Sequence, residues 1–248
     1  MSDVIIDVQG VSKAFGGVKA NTDVSMQVQR GGITGLIGPN GSGKTTLFNS
    51  IVGYHPIDGG SIKFEGQEIS DMKVQQIARL GLLRTFQQTR IYGAMNGVEN
   101  MLISLPHRKM SLLDALKTNT KEDYEKADHL LEFVGLYEKR FLKSGDLSFG
   151  QQKLLEFAMA LMNEPTCLLL DEPTAGINPT LINGLIDRLK RANEDFGITL
   201  FVIEHNMRVI MNLAESIYCL AHGEMLAHGT PDEIQNDQRV IDAYLGAH

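Results

Sequence analysis

The sequence has no tryptophan, only two cysteines, and no apolar run long enough to cross a bilayer. A membrane-spanning helix needs about 20 consecutive apolar residues. Residues 1–10 carry two acids, whereas a secretion signal begins with basic residues and an apolar stretch. We therefore expect the chain to stay in the cytoplasm and to reach a membrane only through a partner. Cys167 and Cys219 each lie in a short apolar run, which predicts buried free thiols rather than a disulfide or a metal site.

A surplus of basic residues is also missing. The 23 Lys and Arg residues are outnumbered by 30 Asp and Glu residues, which gives a net charge of −7 at pH 7. A protein built to neutralise nucleic-acid phosphates has the opposite balance, so no nucleic-acid partner is predicted. With 248 residues, 43% of them hydrophobic, the chain is long enough for one large α/β domain or for a core with a smaller subdomain.

Two kinds of apolar pattern indicate two kinds of strand. Alternating apolar and polar residues at 4–8 and 24–28 predict half-buried antiparallel strands. A further strand at 61–65 is predicted at the edge of that sheet. Continuous apolar runs at 167–170 and 198–203 predict central parallel strands that are covered on both faces.

The middle and the end of the chain differ from this core. From 96 to 143 charged residues are dense and leucines recur at helical spacing, which predicts an inserted helical subdomain. Residues 217–221 and 224–228 predict a final hairpin, and a helical tail follows it.

A glycine-rich segment joins the strand predicted at 33–37 to a helix predicted at 45–52. It fits the pattern G-x-x-x-x-G-K-[ST], in which backbone N–H groups and a helix N-terminus face phosphate oxygens. Lys44 would bring a charge to the β- and γ-phosphates, and the Thr45 hydroxyl suits Mg²⁺. The segment therefore predicts ATP or GTP binding. The predicted nucleotide-binding residues of the loop are Gly38, Pro39, Asn40, Gly41, Ser42, Gly43, Lys44, Thr45 and Thr46.

Two acids follow the buried run Leu168–Leu170, at the carboxyl end of a predicted strand. In an open α/β sheet, ligands bind at that end of the strands. A pair of acids there needs a cation or a shared proton. Asp171 is placed to hold Mg²⁺ through water, and Glu172 is placed to act as general base on the attacking water.

The segment Leu147–Gln152 reads L-S-F-G-Q-Q and opens an amphipathic helix. It resembles the signature of ABC ATPases, whose usual form is L-S-G-G-Q. Ser148 is predicted to be the N-cap of that helix, whose start would form a second anion site. The resemblance implies that Ser148, Gly150 and Gln151 cover the ATP that a partner subunit holds.

Other family elements occur in the family's order along the whole chain. By this resemblance, Phe15 stacks on adenine with Val18 beside it, and Gln87 contacts both Mg²⁺ and the attacking water. His205 matches the switch histidine that contacts the γ-phosphate. The implied activity is ATP hydrolysis with Mg²⁺, by a catalytic set of Glu172, His205, Gln87 and Lys44, and the implied metal set is Thr45, Gln87 and Asp171.

The resemblance also implies the fold and the domain boundaries. The expected fold class is α/β, with a P-loop NTPase (RecA-like) core, an antiparallel β subdomain and an inserted helical subdomain. The core would occupy residues 1–92 and, from the signature helix onward, 147–232. The helical subdomain would occupy 93–146 and the C-terminal tail 233–248.

Two positions depart from the family pattern. Phe149 replaces the first signature glycine, while Gly150 keeps the close backbone approach. Asn178 stands where the family usually has Asp, in a segment that communicates between the two nucleotide sites of the dimer. Asn keeps the hydrogen-bonding capacity but has no charge, which leaves open how strongly this segment couples the sites.

Four short strings narrow the resemblance to the branched-chain amino acid transport ATPases: 81–87, 96–100, 204–207 and 240–246. That group imports hydrophobic amino acids, amides or urea with two permeases and a periplasmic binding protein. The implied partners are thus an identical or related ATPase chain and integral membrane permeases, at the cytoplasmic face of the inner membrane. A similar tail occurs in the lipopolysaccharide-export ATPase, so export stays an alternative, as does a soluble ABC ATPase outside transport.

The permease would dock near the segment that follows Gln87. This segment is unusually apolar for a loop, and the alternative is that it packs on its own subdomain. The residues concerned are Thr89, Arg90, Ile91, Tyr92 and Met95.

Overall fold

The computed structural model describes residues 4–85, 91–105 and 119–245. In chain order the strands are β1 (Val4–Phe15), β2 (Val18–Gln29), β3 (Ile33–Ile37), β4 (Gly59–Phe64), β5 (Gln67–Glu68), β6 (Leu82–Arg84), β7 (Cys167–Asp171), β8 (Thr199–Ile203), β9 (Ser216–Ala221) and β10 (Glu224–Gly229). The helices are α1 (Lys44–Ile51), α2 (Val74–Arg79), α3 (Gly97–Ile103), α4 (Lys121–Phe133), α5 (Phe149–Leu161), α6 (Pro179–Phe196), α7 (Met207–Leu213), α8 (Pro231–Asn236) and α9 (Gln238–Leu245).

The contacts between residues divide the chain into two units. The first unit comprises the described residues within Met1–Arg84, Thr166–Pro173 and Leu189–His248, and the second those within Thr85–Pro165 and Thr174–Arg188. The boundaries at 93, 147 and 233 that the family resemblance implies stay predictions.

An antiparallel sheet of the first unit has the order β2-β1-β4-β5. The predicted alternation is confirmed, because Val24, Met26 and Val28 of β2 are buried while the residues between them are exposed. The prediction that residues 61–65 form the edge strand is wrong. β4 pairs with β1 on one side and with β5 on the other, so the two-residue β5 lies at the edge.

The second sheet of this unit has the order β10-β9-β3-β8-β7-β6, and all its pairs are parallel except β9 with β10. The prediction of central parallel strands is confirmed, since every residue of β3, β7 and β8 is buried. Ile203 at the end of β8 is in register with Leu36 of β3 and with Asp171 of β7. The loops that follow these three strands therefore start at the same edge of the sheet.

One apolar core joins both sheets of the first unit. It contains the buried faces of β1 and β2, the helix α1 and residues of the central strands. Phe48 of α1 packs on Phe201 of β8 with ring centroids 4.6 Å apart. This packing fixes the position of α1, whose first turn follows the glycine-rich segment.

Helices dominate the second unit, which confirms the predicted helical insertion. The helices α3, α4 and α5 each begin with a capping box, in which the N-cap side chain and the third helical residue bond each other's backbone N–H groups. The buried amide of Asn100 donates to the carbonyls of Tyr92 and Met95 and to the hydroxyl of Ser144. Asn100 thus ties the loop before α3 to the segment before α5.

The C-terminal part confirms two further predictions: β9 and β10 form the hairpin, and α8 and α9 form the helical tail. Cys167 and Cys219 are buried free thiols, as predicted. In the part of the chain that the structure describes, no helix is both long enough and apolar enough to span a membrane.

Candidate nucleotide-binding and hydrolysis site

Two glycines shape the loop between β3 and α1. Gly38 has a φ of 146°, and a Cβ there would lie 2.1 Å from the carbonyl oxygen of Leu220. Gly43 has a φ of 101°, and a Cβ there would lie 2.3 Å from the carbonyl oxygen of Ala20. Any larger residue at either position would displace the backbone, so the loop needs glycine at both ends.

Backbone hydrogen bonds hold this loop in shape. The N–H of Ser42 donates to the carbonyl of Pro39 at 3.2 Å, and the N–H of Gly223 donates to the carbonyl of Ser42 at 3.1 Å. The Ser42 hydroxyl is buried and has no hydrogen-bond partner among the described residues. A buried hydroxyl without a partner beside a helix N-terminus fits an anionic ligand such as a nucleotide phosphate.

The Lys44 side chain folds back onto the loop. Its ammonium group donates to the carbonyls of Gly38 at 2.8 Å and Pro39 at 3.0 Å. Burial lowers the pKa of Lys44, while the nearby carboxylates of Glu172 and Asp171 act to raise it. A buried cation therefore stands next to two acids at the sheet edge.

Glu172 and His205 come together at the same edge. The N–H of Glu172 donates to the carbonyl of Ile203 at 2.9 Å, and the backbone of Glu172 has a φ of 50°. A left-handed conformation is costly for a residue other than glycine and is concentrated at functional sites. Nδ1 of His205 lies 3.6 Å from Oε1 of Glu172. The structure thus brings two residues of the predicted catalytic set into one cluster.

Arg84 is part of this site, and the sequence interpretation missed it. Its guanidinium donates to Oδ2 of Asp171 at 2.5 Å and also to Oδ1 of Asn49 in α1. The side chains of Arg84 and Asp171 are only 7% and 2% exposed. Arg84 therefore supplies the cation that a buried Asp171 requires. One sequence signal could have identified Arg84 as a site residue: it is a basic residue at the end of a strand, three positions before Gln87.

Replacing Arg84 by Met is expected to lower the free energy of unfolding by about 3–5 kcal/mol, because the buried Asp171 carboxylate would lose the cation that is hydrogen-bonded to it. Urea denaturation of the purified chain measures this change. Combining Arg84→Met with Asp171→Asn should restore most of the loss, since the second change removes the unpaired charge. Arg79→Met, at an exposed position on α2, is the control. A loss equal to that of the control would mean that Arg84 does not neutralise Asp171.

Phe15 lies at the turn between β1 and β2, where its ring is exposed together with Val18. The ring packs edge-on against His55 at a centroid distance of 5.1 Å. The ammonium of Lys13 lies 5.4 Å from the ring centroid and is fixed by Asp58 at 2.9 Å. An exposed aromatic ring that is backed by a second ring suits stacking on a base. His55 has no counterpart in the sequence prediction.

The signature segment belongs to the second unit. The prediction that Ser148 is the N-cap of α5 is confirmed: its hydroxyl accepts the N–H of Gln151 at 3.4 Å. The side chain of Gln151 accepts the N–H of Ser148 at 3.1 Å in return. Phe149 packs on Gly176, and a Cβ added at Gly176 would lie 2.9 Å from the Phe149 ring. The ring thus uses the space that a glycine leaves.

Asn178 precedes α6, and its side-chain oxygen accepts both the N–H and the hydroxyl of Thr180, at 3.1 and 2.9 Å. A carboxamide oxygen thus makes the local bonds that an Asp carboxylate would make here. The predicted residue Gln87, and Thr89 and Arg90 of the predicted docking segment, lie outside the described residues.

The residues present fit a magnesium ion that is bound jointly by the protein and the phosphates of the nucleotide. Within 4–85, 91–105 and 119–245, no group of three His, Cys, Asp or Glu side chains could hold a metal. Thr45, exposed in the first turn of α1, and Asp171 offer hard oxygen ligands. Mg²⁺ is usually bound by one or two protein ligands together with substrate phosphates, so this small set is sufficient.

Relatives among the known proteins match almost the whole length of the chain. The ABC transporter family matches residues 21–175, and the family described as branched-chain amino acid ATP-binding cassette transporter matches 224–248. The chain is 37% identical, over 99% of both proteins, to the high-affinity branched-chain amino acid transport ATP-binding protein BraF of Pseudomonas aeruginosa. It is also 37% identical, over 99% of both, to LivG of Escherichia coli K12, which has the same description.

A solved structure shares the fold. The ADP conformation of an ATP-binding cassette of an ABC transporter has a TM-score of 0.88 and 33% identity, and the match covers 98% of this chain and 99% of that one. The predicted fold class is thereby confirmed, as is the prediction of a nucleotide-binding protein. This chain belongs to the ABC transporter family, as one of its ATP-binding, ATP-hydrolysing subunits.

Proposed function

We propose that this chain drives a membrane importer of branched-chain amino acids or related small amides. It would do so from the cytoplasmic face of the inner membrane, bound to integral permease subunits that a periplasmic binding protein supplies with substrate. The observation that carries this proposal is the 37% identity to BraF over 99% of both chains, because a match of that extent leaves no part of the architecture unaccounted for. In this proposal the transported molecule would cross the permease without contacting this subunit, so its identity rests on the relatives.

The cradle between β3 and α1 would hold the ATP phosphates, and Phe15 with Val18 would pack on the adenine. Lys44 would exchange its bonds to the Gly38 and Pro39 carbonyls for bonds to the β- and γ-phosphates. Thr45, Asp171 and Gln87 would hold Mg²⁺, which neutralises charge on the phosphates when it is bound. Arg84 keeps the Asp171 carboxylate in a fixed position for this task.

Glu172 would accept a proton from the attacking water, as general base. The hydrogen bond from its N–H to the carbonyl of Ile203 holds the left-handed backbone of Glu172 at the sheet edge. His205 lies next to that carboxylate and would contact the γ-phosphate. Positioning of this kind, rather than covalent chemistry, is what phosphoryl transfer requires from a protein.

A second ATPase chain would complete each site. Ser148, Gly150 and Gln151 stand at the N-terminus of the 13-residue helix α5, whose positive end attracts anions. In a two-fold dimer, this start of α5 would cover the γ-phosphate of the nucleotide that the partner's cradle holds. ATP would then hold the two chains together, and its hydrolysis would release them. The partner is either an identical chain or a related one.

The permease would contact the second unit at the loop before α3. The side chain of Tyr92 is 54% exposed there, while its N–H and its carbonyl are both bonded to the side chain of Asn100. An exposed aromatic side chain on a fixed backbone is a favourable anchor for a partner protein.

Affinity purification of the tagged chain from detergent-solubilised membranes of its native host tests the transport function. We expect mass spectrometry to identify integral membrane subunits in the eluate, together with any related ATPase chain that pairs with this one. The purified complex, reconstituted into vesicles with its binding protein, should take up radiolabelled leucine only when ATP is supplied. The Tyr92→Ala variant should recover several-fold less permease, because an aromatic anchor is lost.

Controls separate the possible results. Tyr124→Ala removes a tyrosine of similar exposure, 47%, from α4 and should leave permease recovery unchanged. Recovery of the chain without membrane proteins, or together with ribosomes or nucleic acid, contradicts transport while leaving ATP hydrolysis in place. Recovery of membrane subunits that move a lipid outward contradicts import.

A further inference from the structure

The C-terminal helix α9 contacts the nucleotide cradle through one side chain. The hydroxyl of Tyr244 accepts a hydrogen bond at 2.8 Å from the backbone N–H of Gly38, the first residue of the cradle. The two residues are 206 positions apart in the chain, so only the tertiary fold brings them together. Burial raises the pKa of Tyr244 to about 12, further above neutral pH than the ordinary tyrosine pKa, so the group that accepts from Gly38 is a neutral hydroxyl.

Gly38 is held at both of its peptide groups. Tyr244 binds its N–H, and the ammonium of Lys44 binds its carbonyl at 2.8 Å. The second of these bonds is lost when Lys44 turns to the phosphates, as proposed above. In this arrangement the N–H of Gly38 would stay bonded to Tyr244, and the phosphates would be bound by the other N–H groups of the loop and by Lys44.

The backbone at Gly38 needs such support. Its φ of 146° is adopted almost only by glycine, and glycine loses more conformational freedom on ordering than any other residue. If this freedom is removed before ATP arrives, binding no longer has to supply the ordering free energy. A hydrogen bond that fixes Gly38 therefore favours nucleotide binding.

The hydrogen bond between Gly38 and Tyr244 is a specific contact and not a by-product of tight packing, because most residues of α9 are not buried. Val240 is the one buried residue of this helix, and a groove of about 570 Å³ lies between α9, α7 and α8. A tyrosine that served only to fill space would not need its hydroxyl on the cradle.

We propose that Tyr244 is a positioning residue for the nucleotide cradle, and that α9 raises the affinity for ATP by fixing Gly38. The inference rests on the proposed role of the cradle in holding the ATP phosphates. It gives the C-terminal helix a role in nucleotide binding although none of its side chains needs to touch the nucleotide.

The Tyr244→Phe variant of the full-length chain tests this role, since it removes one oxygen and keeps the ring. Loss of one neutral hydrogen bond is expected to raise the Kd for Mg-ATP and the KM about threefold to tenfold. The kcat at saturating ATP should stay at the wild-type value, because Glu172 and His205 are unchanged. Hydrogen exchange of the Gly38 amide without nucleotide should become faster by a similar factor.

Two controls accompany this variant: Tyr124→Phe in α4, and Leu245→Ala next to Tyr244, where the side chain is 69% exposed. Both should leave the Kd unchanged. A wild-type Kd in Tyr244→Phe overturns the proposal, whatever happens to the amide of Gly38, and so does a fall in kcat at an unchanged KM. If Lys44→Ala also binds ATP normally, the cradle assignment fails; if Lys44→Ala loses ATP and Tyr244→Phe does not, only the role of Tyr244 fails.

Discussion

Replacing Glu172 by Gln is expected to lower steady-state ATP hydrolysis about 10²- to 10³-fold, because general-base catalysis contributes a factor of that order. The carboxamide has nearly the same shape as the carboxylate but cannot take a proton from water. Binding should survive, since Lys44 and the glycine-rich loop supply the contacts to the phosphates. An ATP-bound dimer should therefore accumulate instead of turning over.

Size-exclusion chromatography with light scattering measures this accumulation. With saturating Mg-ATP, the Glu172→Gln chain should elute as a dimer, either alone or with its related ATPase partner, whereas with ADP it should be monomeric. Glu224→Gln, at an exposed position of β10, is the control and should hydrolyse ATP at the wild-type rate. A Glu172→Gln chain that stays monomeric with saturating ATP, or that still turns over at the wild-type rate, would exclude Glu172 as the base.

The sequence predicts the local parts of the site well. The bend around Gly38 and Gly43, the cap at Ser148 and the acids at the end of β7 each involve residues that are close in the chain, and each needs a particular residue type at a fixed spacing. Such requirements leave a readable pattern. The same holds for the fully buried strands β7 and β8, because short continuous apolar runs are typical of parallel strands that are covered on both faces.

Contacts between residues that are far apart in the chain leave no such pattern. Arg84 meets Asp171 across 87 positions and Tyr244 meets Gly38 across 206, and neither pair has a characteristic spacing. The error at 61–65 has a related cause. Whether a strand lies at an edge depends on its neighbours, and β5 is a two-residue strand, too short to show alternation. The sequence thus reveals the residues of a motif, while the structure reveals what holds them in place.

Replacing Lys44 by Ala is expected to raise the Kd for Mg-ATP by about 10- to 100-fold, since hydrogen bonds to charged groups contribute more than neutral ones. The net effect is smaller than the full interaction with the phosphates. In the wild type, the ammonium must first give up its bonds to the Gly38 and Pro39 carbonyls. Equilibrium titration with a fluorescent ATP analogue measures the Kd, and Lys121→Ala on the exposed face of α4 is the control.

A nucleotide series separates a phosphate contact from general damage to the loop. Lys44 is assigned to the β- and γ-phosphates, so Lys44→Ala should weaken ATP strongly and ADP less, and should leave AMP at its wild-type affinity. Collapse of the loop would weaken all three nucleotides alike, because Lys44 also bonds two carbonyls of the loop. Wild-type affinity for ATP would contradict the cradle assignment itself. A graded loss along the series would show that the buried cation acts on the terminal phosphates, where hydrolysis takes place.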